Sequence, residues 1–228
     1  MNDLAGRRPL KVRELTLMTN IAKWLSKKDI TPNQISISSV FFALFAGTVL
    51  LVVNSGGNIW LMWLAALFIQ CRLLCNLFDG MVAMEGGKST ASGELFNDIP
   101  DRIADPLILV PAGYLLTGFS WGAELGWLAG ILAVMTAYVR TLASSMGAPT
   151  LFTGPMAKQH RMALITIALL LSPLEHLLFS TPGYLLLMVL VIICLGSLIT
   201  IYNRTRDAYL YLESPKKELD HPKASEHV

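Results

Sequence analysis

Residues 76–105 read NLFDGMVAMEGGKSTASGELFNDIPDRIAD and decide how the rest of the chain is organised. Acidic and amide side chains recur in this stretch at helical spacing, although the surrounding sequence is strongly apolar. Asn76 and Asp79 lie three positions apart, so they share one helix face. Asn97 and Asp101 lie four positions apart and share a face of a second helix. Glycines between the two pairs permit a turn, so the stretch predicts a helical hairpin that brings four oxygen-bearing side chains together.

The composition indicates a membrane protein that crosses the bilayer several times. The 228 residues are 54% hydrophobic and only 15% charged, whereas soluble domains are about 25% charged. The three cysteines (Cys71, Cys75 and Cys194) all lie in apolar runs, which favours packing roles over a disulfide framework or a zinc site. The first thirty residues are polar and basic, so no cleavable signal peptide is expected.

The predicted fold is all-α, with six transmembrane helices and an N-terminal amphipathic helix. Residues 9–28 separate apolar from basic side chains, which suits a helix in the membrane interface or one packed on the protein's cytoplasmic face. Thr31, Pro32 and Gln34 predict a capping box that starts the first span. About 20 apolar residues cross a bilayer, and the predicted spans are residues 33–53, 58–82, 92–117, 123–146, 157–179 and 182–205. We expect one domain over residues 1–208 and a polar cytoplasmic tail over 209–228.

The distribution of cations predicts the orientation in the membrane. Sixteen of the 18 Lys and Arg residues flank the predicted spans on one side, and Arg72 and Arg102 lie within helices. By the positive-inside rule, both termini and the mouth of the hairpin are cytoplasmic. This pattern suits a bacterial inner membrane, with membrane lipids as partners and no nucleic acid.

The hairpin resembles the signature of the CDP-alcohol phosphotransferase family, D-x2-D-G-x2-A-R-x8-G-x3-D-x3-D. The sequence departs from that signature at three positions, where Asn76 and Asn97 replace aspartates and Met84 replaces an arginine. The positions that match in register are Asp79, Gly80, Ala83, Gly93 and Asp101.

This resemblance implies an activity and roles for individual residues. In the family, an alcohol attacks the phosphorus on the lipid side of a CDP-alcohol such as CDP-diacylglycerol, CMP leaves, and a phosphodiester forms in phospholipid biosynthesis. By position, Asp101 becomes the candidate general base, and the candidate ligands of Mg²⁺ or Mn²⁺ are Asn76, Asp79, Asn97 and Asp101. Gly80, Ala83 and Gly93 correspond to positions that accommodate the nucleotide. Family members are often homodimers, so a homodimer is a further expectation.

The two asparagines change the expected metal chemistry. Hard divalent cations take oxygen ligands, but an Asn oxygen supplies no charge. Metal is therefore expected to bind more weakly, or as one ion in place of two. Nearby acids can compensate, because Glu94, Asp98, Asp101 and Asp105 follow 4-3-4 spacing along one stripe. Whether Asn97 or Asp98 faces the ion stays open, since family spacing favours the former and charge the latter.

Basic residues support two further predictions. Arg72 lies on the face of the motif, and we expect it to pair with Asp105, because an unpaired charge in lipid costs roughly 3 kcal/mol or more. Arg140, Lys158 and Arg161 flank the connection between the fourth and fifth spans, on the predicted cytoplasmic side. They are candidates for binding a phosphate on the acceptor alcohol, and plain positive-inside anchoring is the alternative.

Two other functions stay open. A catalytically weak or inactive relative that binds lipid or nucleotide is suggested by Asn76, Asn97 and Met84. A small ion-coupled transporter would place acids near the middle of the bilayer, often in a repeated half. Here the acids cluster toward one mouth and no repeat is visible, so the transferase is the leading interpretation and the transporter the weakest.

Overall fold

The part of the chain that the structure describes is entirely helical. The structure is a computed structural model, and it describes residues 16–28, 30–85, 92–150, 152–179 and 183–214. Within these ranges the all-α prediction is confirmed, and residues 9–15 of the predicted amphipathic helix lie outside them. The seven helices are α1 Thr16–Lys27, α2 Pro32–Asn54, α3 Leu61–Glu85, α4 Gly93–Tyr114, α5 Gly122–Ser145, α6 Lys158–Phe179 and α7 Tyr184–Leu212.

Helices α2 to α7 correspond to the six predicted spans, but α4 differs in composition from the other five. Helices α2, α3, α5, α6 and α7 are long and apolar enough to cross a membrane. Helix α4 has 22 residues, of which five are charged and three are prolines. Among the described helices, therefore, five rather than six are identified as candidate spans by length and hydropathy.

Some helix ends differ from the predicted boundaries because local contacts override hydropathy. Helix α3 begins at Leu61 rather than at residue 58. The backbone N–H of Trp60 donates a hydrogen bond to Oδ1 of Asn58 at 3.0 Å, which closes a turn before the helix. Helix α7 continues to Leu212, beyond the predicted end at residue 205. The extension packs on other parts of the chain, since Ala208 is buried in one cluster with Ala143 and Ala148.

The first two helices pack together with α3 at one end of the bundle. The predicted capping box starts α2: the N–H of Gln34 donates to Oγ1 of Thr31 at 3.3 Å, and the N–H of Thr31 donates to Oε1 of Gln34 at 3.0 Å. Helix α1 packs on α3 through the fully buried Ala22, whereas Trp24 is 56% exposed. Helix α1 thus has one face on the protein and another that is exposed.

A close backbone contact between α4 and α5 fixes the position of α4. A Cβ atom added to Gly126 would lie only 2.8 Å from the Cα of Gly113, so these two positions accept no side chain. Beyond this contact, Ile108 and Leu109 of α4 are fully buried in the main core. The apolar C-terminal half of α4 is therefore held inside the bundle. Its charged N-terminal half lies at the same end as the C-terminal half of α3 and the start of α6.

Candidate active site

The site lies where the C-terminal half of α3 faces the N-terminal half of α4. Both helices pack on α2, and polar side chains connect them across the space between. Asp79 of α3 is buried, and Oγ of Ser36 in α2 donates to its Oδ2 at 2.7 Å. The backbone N–H of Gly80 donates to its other oxygen. These two donors hold the Asp79 carboxylate in one orientation.

The two carboxylate oxygens of Asp101 have different partners. Oδ1 accepts hydrogen bonds from Nδ2 of Asn76 at 3.0 Å and from Nη2 of Arg72 at 3.1 Å. Oδ2 accepts one from Nζ of Lys158, the first residue of α6. The predicted ligands Asn76 and Asp101 are therefore in direct contact, and Asp79 interacts electrostatically with both Asp101 and Lys158.

The predicted pair of Arg72 and Asp105 is present, and it is part of a larger buried group. Nη2 of Arg72 donates to Oδ1 of Asp105 at 2.7 Å. Nη2 and Nε of Arg161 donate to Oδ2 at 2.7 and 3.1 Å. Arg161 also donates to Oγ1 of Thr136 at 3.2 Å and to the carbonyl of Met156 at 3.0 Å. Both guanidinium groups neutralise Asp105 and connect α3, α4 and α6, so Arg161 is already engaged before any ligand arrives.

Asp98 completes a row of acids in α4, each of which lies between two cations. Its Oδ2 accepts from Arg102 at 2.8 Å and its Oδ1 from Arg140 at 3.0 Å. Asp101 lies between Arg72 and Lys158, and Asp105 between Arg72 and Arg161. The predicted acidic stripe therefore exists from residue 98 onward, although its carboxylates are paired with cations. The side chain of Glu94 lies outside the described part of the chain.

The remaining predicted positions border the opening of the hairpin. Asn97 is exposed, whereas both oxygens of its neighbour Asp98 are held by arginines. Because both Asp98 oxygens are in ion pairs, the side-chain oxygen of Asn97 is the more accessible of the two as a metal ligand. Gly80 and Ala83 lie near the end of α3, and Gly93 begins α4. Met84, which replaces the arginine of the signature, is 53% exposed.

A cationic cavity of about 170 Å³ opens next to Asp101, between α4, α5 and the start of α6. The three residues predicted to bind an acceptor phosphate all contribute to it, namely Arg140, Lys158 and Arg161. The structure therefore brings this second predicted site directly against the first. The carboxylate of Asp101 forms part of both.

Sequence reasoning missed Arg204, which also lines the cavity. Its side chain reaches from α7 to the backbone carbonyls of Thr136 and Thr153, the latter at 3.0 Å. One turn earlier, Oγ1 of Thr200 accepts a hydrogen bond from the backbone N–H of Met156 at 2.9 Å. Helix α7 thus holds the segment that precedes α6. In the sequence, Arg204 is simply one of the cations that follow the last span, and nothing in its spacing links it to residue 153.

The oxygen atoms that the hairpin offers as metal ligands suit one hard divalent cation. Its side chains offer two carboxylates and amide oxygens from two facing helices, which are the ligand types that Mg²⁺ and Mn²⁺ prefer. Two carboxylates carry the formal charge of one such ion, although Arg72 and Lys158 also pair with Asp101. Within the described ranges no group of three or more His, Cys, Asp or Glu residues could hold a metal. An ion at this site therefore has to use the amide oxygens as well.

Comparison with known proteins decides the family. The sequence model of the CDP-alcohol phosphatidyltransferase family matches residues 29–204, a range that contains every predicted site residue. The chain belongs to this family. Membership confirms the activity predicted from the hairpin, which is the transfer of a phosphatidyl group from a CDP-alcohol in phospholipid synthesis.

Two relatives of this phosphatidyltransferase match over most of their own length. An uncharacterized protein of Aquifex aeolicus is 27% identical over 208 residues, which cover 90% of this chain and 96% of that protein. The archaetidylinositol phosphate synthase of Pyrococcus horikoshii is 28% identical over 159 residues, which cover 69% of this chain and 79% of that protein.

Solved structures of a phosphatidylinositol phosphate synthase from Mycobacterium tuberculosis have the same fold as this phosphatidyltransferase. The structure with CDP-DAG bound matches with a TM-score of 0.70 and 17% identity, over 86% of this chain and 94% of that one. The structure in complex with manganese and citrate matches with a TM-score of 0.71 and 17% identity, over 84% and 88%. At this level of identity the likeness concerns the fold alone.

Proposed function

We propose that Asp101 is the general base of this phosphatidyltransferase and that an alcohol acceptor binds in the adjacent cationic cavity. The observation that carries the proposal is the asymmetry of the Asp101 carboxylate. Its Oδ1 is held by Arg72 and Asn76, while its Oδ2 contacts Lys158 at the edge of the cavity. An acceptor hydroxyl in the cavity gives its proton to Oδ2. The acceptor oxygen attacks the phosphorus on the lipid side of the CDP-alcohol, and CMP leaves.

We assign Asn76, Asp79, Asn97 and Asp101 as ligands of one Mg²⁺ or Mn²⁺ ion. When bound, the ion supplies positive charge to the diphosphate and to the leaving CMP. Ser36 holds Asp79 at 2.7 Å, so the orientation of this ligand is set in advance. The manganese complex of the similarly folded Mycobacterium tuberculosis synthase supports this choice of metal.

The donor substrate is a lipid of the CDP-diacylglycerol type. The same synthase has been crystallised with CDP-DAG bound, which supports this substrate class for the present chain. Gly80, Ala83 and Gly93 are assigned to the nucleotide, because they border the hairpin opening and positions without bulky side chains let a nucleotide approach the backbone.

The acceptor is an alcohol that carries a phosphate group. Arg140 and Lys158 line the cavity with side chains that are 28% and 26% exposed, so both are accessible to such an anion. The hydrogen bonds of Arg161 go to Asp105, Thr136 and Met156. Arg161 therefore adds positive potential to the cavity without binding the phosphate directly. The archaetidylinositol phosphate synthase among the relatives supports an acceptor of this class.

The proposed membrane arrangement has six spans, with α4 as the sixth. Its charged half faces α3 and the cavity, where ion pairs shield the charges from lipid. Helix α1 lies in the cytoplasmic interface, and both termini are cytoplasmic, in a bacterial inner membrane. We further propose one domain over residues 1–208, a polar tail over 209–228, and a homodimer.

The decisive experiment measures release of CMP from CDP-diacylglycerol by the purified protein, with Mn²⁺ or Mg²⁺ and a panel of alcohols with and without phosphate. We expect acceptor-dependent release that is lost in Asp101→Asn and on addition of EDTA. Asp207→Asn in α7 is the matched control, because it makes the same change outside the site and should keep native activity.

A catalytically inactive relative is the second candidate function, and the two asparagines Asn76 and Asn97 favour it. It predicts that the CDP-lipid binds without release of CMP under every condition. If the lipid binds but no acceptor in the panel gives release of CMP, the protein is an inactive relative rather than a transferase.

A further inference from the structure

Lys158 contacts Oδ2 of Asp101, the oxygen that accepts the proton in the proposed reaction. The inference from this contact rests on the proposed function. Among the described residues, Lys158 is the donor to Oδ2, whereas Oδ1 is held separately by Arg72 and Asn76. An ammonium group on Oδ2 makes this oxygen a weaker base and competes with a metal ion for it. In this arrangement a cation occupies the oxygen that is assigned to proton transfer.

The two cations on Asp101 differ in how easily they can leave. Arg72 is fully buried, and its Nη2 also binds Asp105. Lys158 is 26% exposed and lines the cavity, and its charge lies at the end of a flexible four-carbon chain. Lys158 can thus move away while Arg72 continues to hold the carboxylate in place.

We propose that Lys158 is a lock on Asp101 that a phosphate-bearing acceptor releases. A phosphate monoester carries about −1.5 to −2 charge at pH 7, more than the single charge of a carboxylate, and lysine is a common phosphate ligand. When such a phosphate enters the cavity beside Arg140, Lys158 turns to it and leaves Oδ2 free. The acceptor thereby activates the base that deprotonates its own hydroxyl.

This lock suppresses the hydrolysis of the CDP-lipid in the absence of an acceptor. In that side reaction, water attacks the phosphorus on the lipid side and gives a proton to Oδ2 of Asp101. The bond to CMP breaks, and phosphatidic acid forms instead of a phosphodiester. With Lys158 on Oδ2, this oxygen is a weaker base for the water molecule.

The first test needs no turnover, because it measures Mn²⁺ affinity by electron paramagnetic resonance with and without inorganic phosphate. In the native protein, phosphate draws Lys158 from Asp101, and we expect Mn²⁺ to bind about tenfold more tightly, which corresponds to about 1.4 kcal/mol. Lys158→Met lacks the lock, so it binds Mn²⁺ tightly without phosphate and gains little from it. Lys158→Arg restores the response to phosphate, and Lys23→Met, at an exposed lysine of α1, behaves as native.

The lock is refuted if Lys158→Met shows the native Mn²⁺ affinity and the native response to phosphate. Size-exclusion chromatography establishes that each variant is folded, and Lys158→Arg provides a second variant. This test requires Mn²⁺ binding but no turnover, so it still gives a result if the native protein releases no CMP.

The second test measures release of CMP and phosphatidic acid from CDP-diacylglycerol without an acceptor. Loss of the lock should raise this hydrolysis about tenfold in Lys158→Met relative to the native protein and Lys23→Met. The same variant should need more of a phosphate-bearing acceptor to reach half its maximal rate. A purely structural role of Lys158 would lower both reactions together, and that outcome contradicts the proposal.

Discussion

Asp105→Asn tests whether the deepest ion pairs hold α3, α4 and α6 together. The Asp105 carboxylate accepts hydrogen bonds at 2.7 Å from Arg72 and at 2.7 and 3.1 Å from Arg161. All three side chains are at most 4% exposed, and asparagine would leave Arg161 without its carboxylate partner and Arg72 paired with Asp101 alone. Removing one partner of a buried pair costs about 3–5 kcal/mol. At about 2–4 °C per kcal/mol for a chain of this size, Tm should fall by roughly 6–20 °C.

Asp98→Asn is the matched control for this prediction. Asp98 also lies between two arginines, but its side chain is 22% exposed and those of Arg102 and Arg140 are 23% and 28% exposed. Such exposed pairs contribute about 0–1 kcal/mol, so Tm should change by less than about 4 °C. Thermal unfolding of both variants is followed by circular dichroism in the same detergent. Equal losses of Tm would refute the argument that burial makes the Asp105 pairs stabilising.

Three further predictions test separate parts of the structure. Gly126→Leu forces a side chain into the contact between α4 and α5, so we expect no monodisperse protein in size-exclusion chromatography; a normal elution profile would contradict this contact. Ser36→Ala removes the 2.7 Å hydrogen bond to Asp79 and should weaken Mn²⁺ binding about tenfold by paramagnetic resonance, since hydrogen bonds to charged groups contribute about 1.5–3 kcal/mol; an unchanged affinity argues against Asp79 as a ligand. The double change Asn76→Asp and Asn97→Asp adds two negative charges and should strengthen Mn²⁺ binding at least about tenfold; weaker binding would place the ion elsewhere.

The positions of the helices could be predicted because hydropathy leaves few alternatives in a chain this apolar. The pair of Arg72 and Asp105 could also be predicted, since a charge in a membrane helix requires a partner and the hairpin offers one at matching depth. Differences arise where packing contacts beyond the predicted spans decide the structure. The end of α7 is an example, because Ala208 packs against Ala143 and Ala148 beyond the predicted span.

The partners of the site residues could not be predicted from spacing alone. Helical periodicity identifies which residues share a face of α4, but Lys158 and Arg161 come from α6, more than fifty positions later. Their distance from Asp101 and Asp105 depends on how the helices pack, including the glycine contact of α4 with α5. Arg161 is the clearest case: it lines the cavity, but spacing does not show that its hydrogen bonds go to Asp105 and to the carbonyl of Met156.

One nitrogen atom of Arg72 connects the buried Asp105 to Asp101, the proposed base. Its Nη2 donates to both Asp105 and Asp101, while among the described residues no atom accepts a hydrogen bond from its Nε or Nη1. Any displacement of this guanidinium therefore moves the Asp101 carboxylate and loosens the bundle at the same moment. On heating, the enzyme should lose activity at the temperature at which it unfolds, without an earlier inactivation that spares the structure.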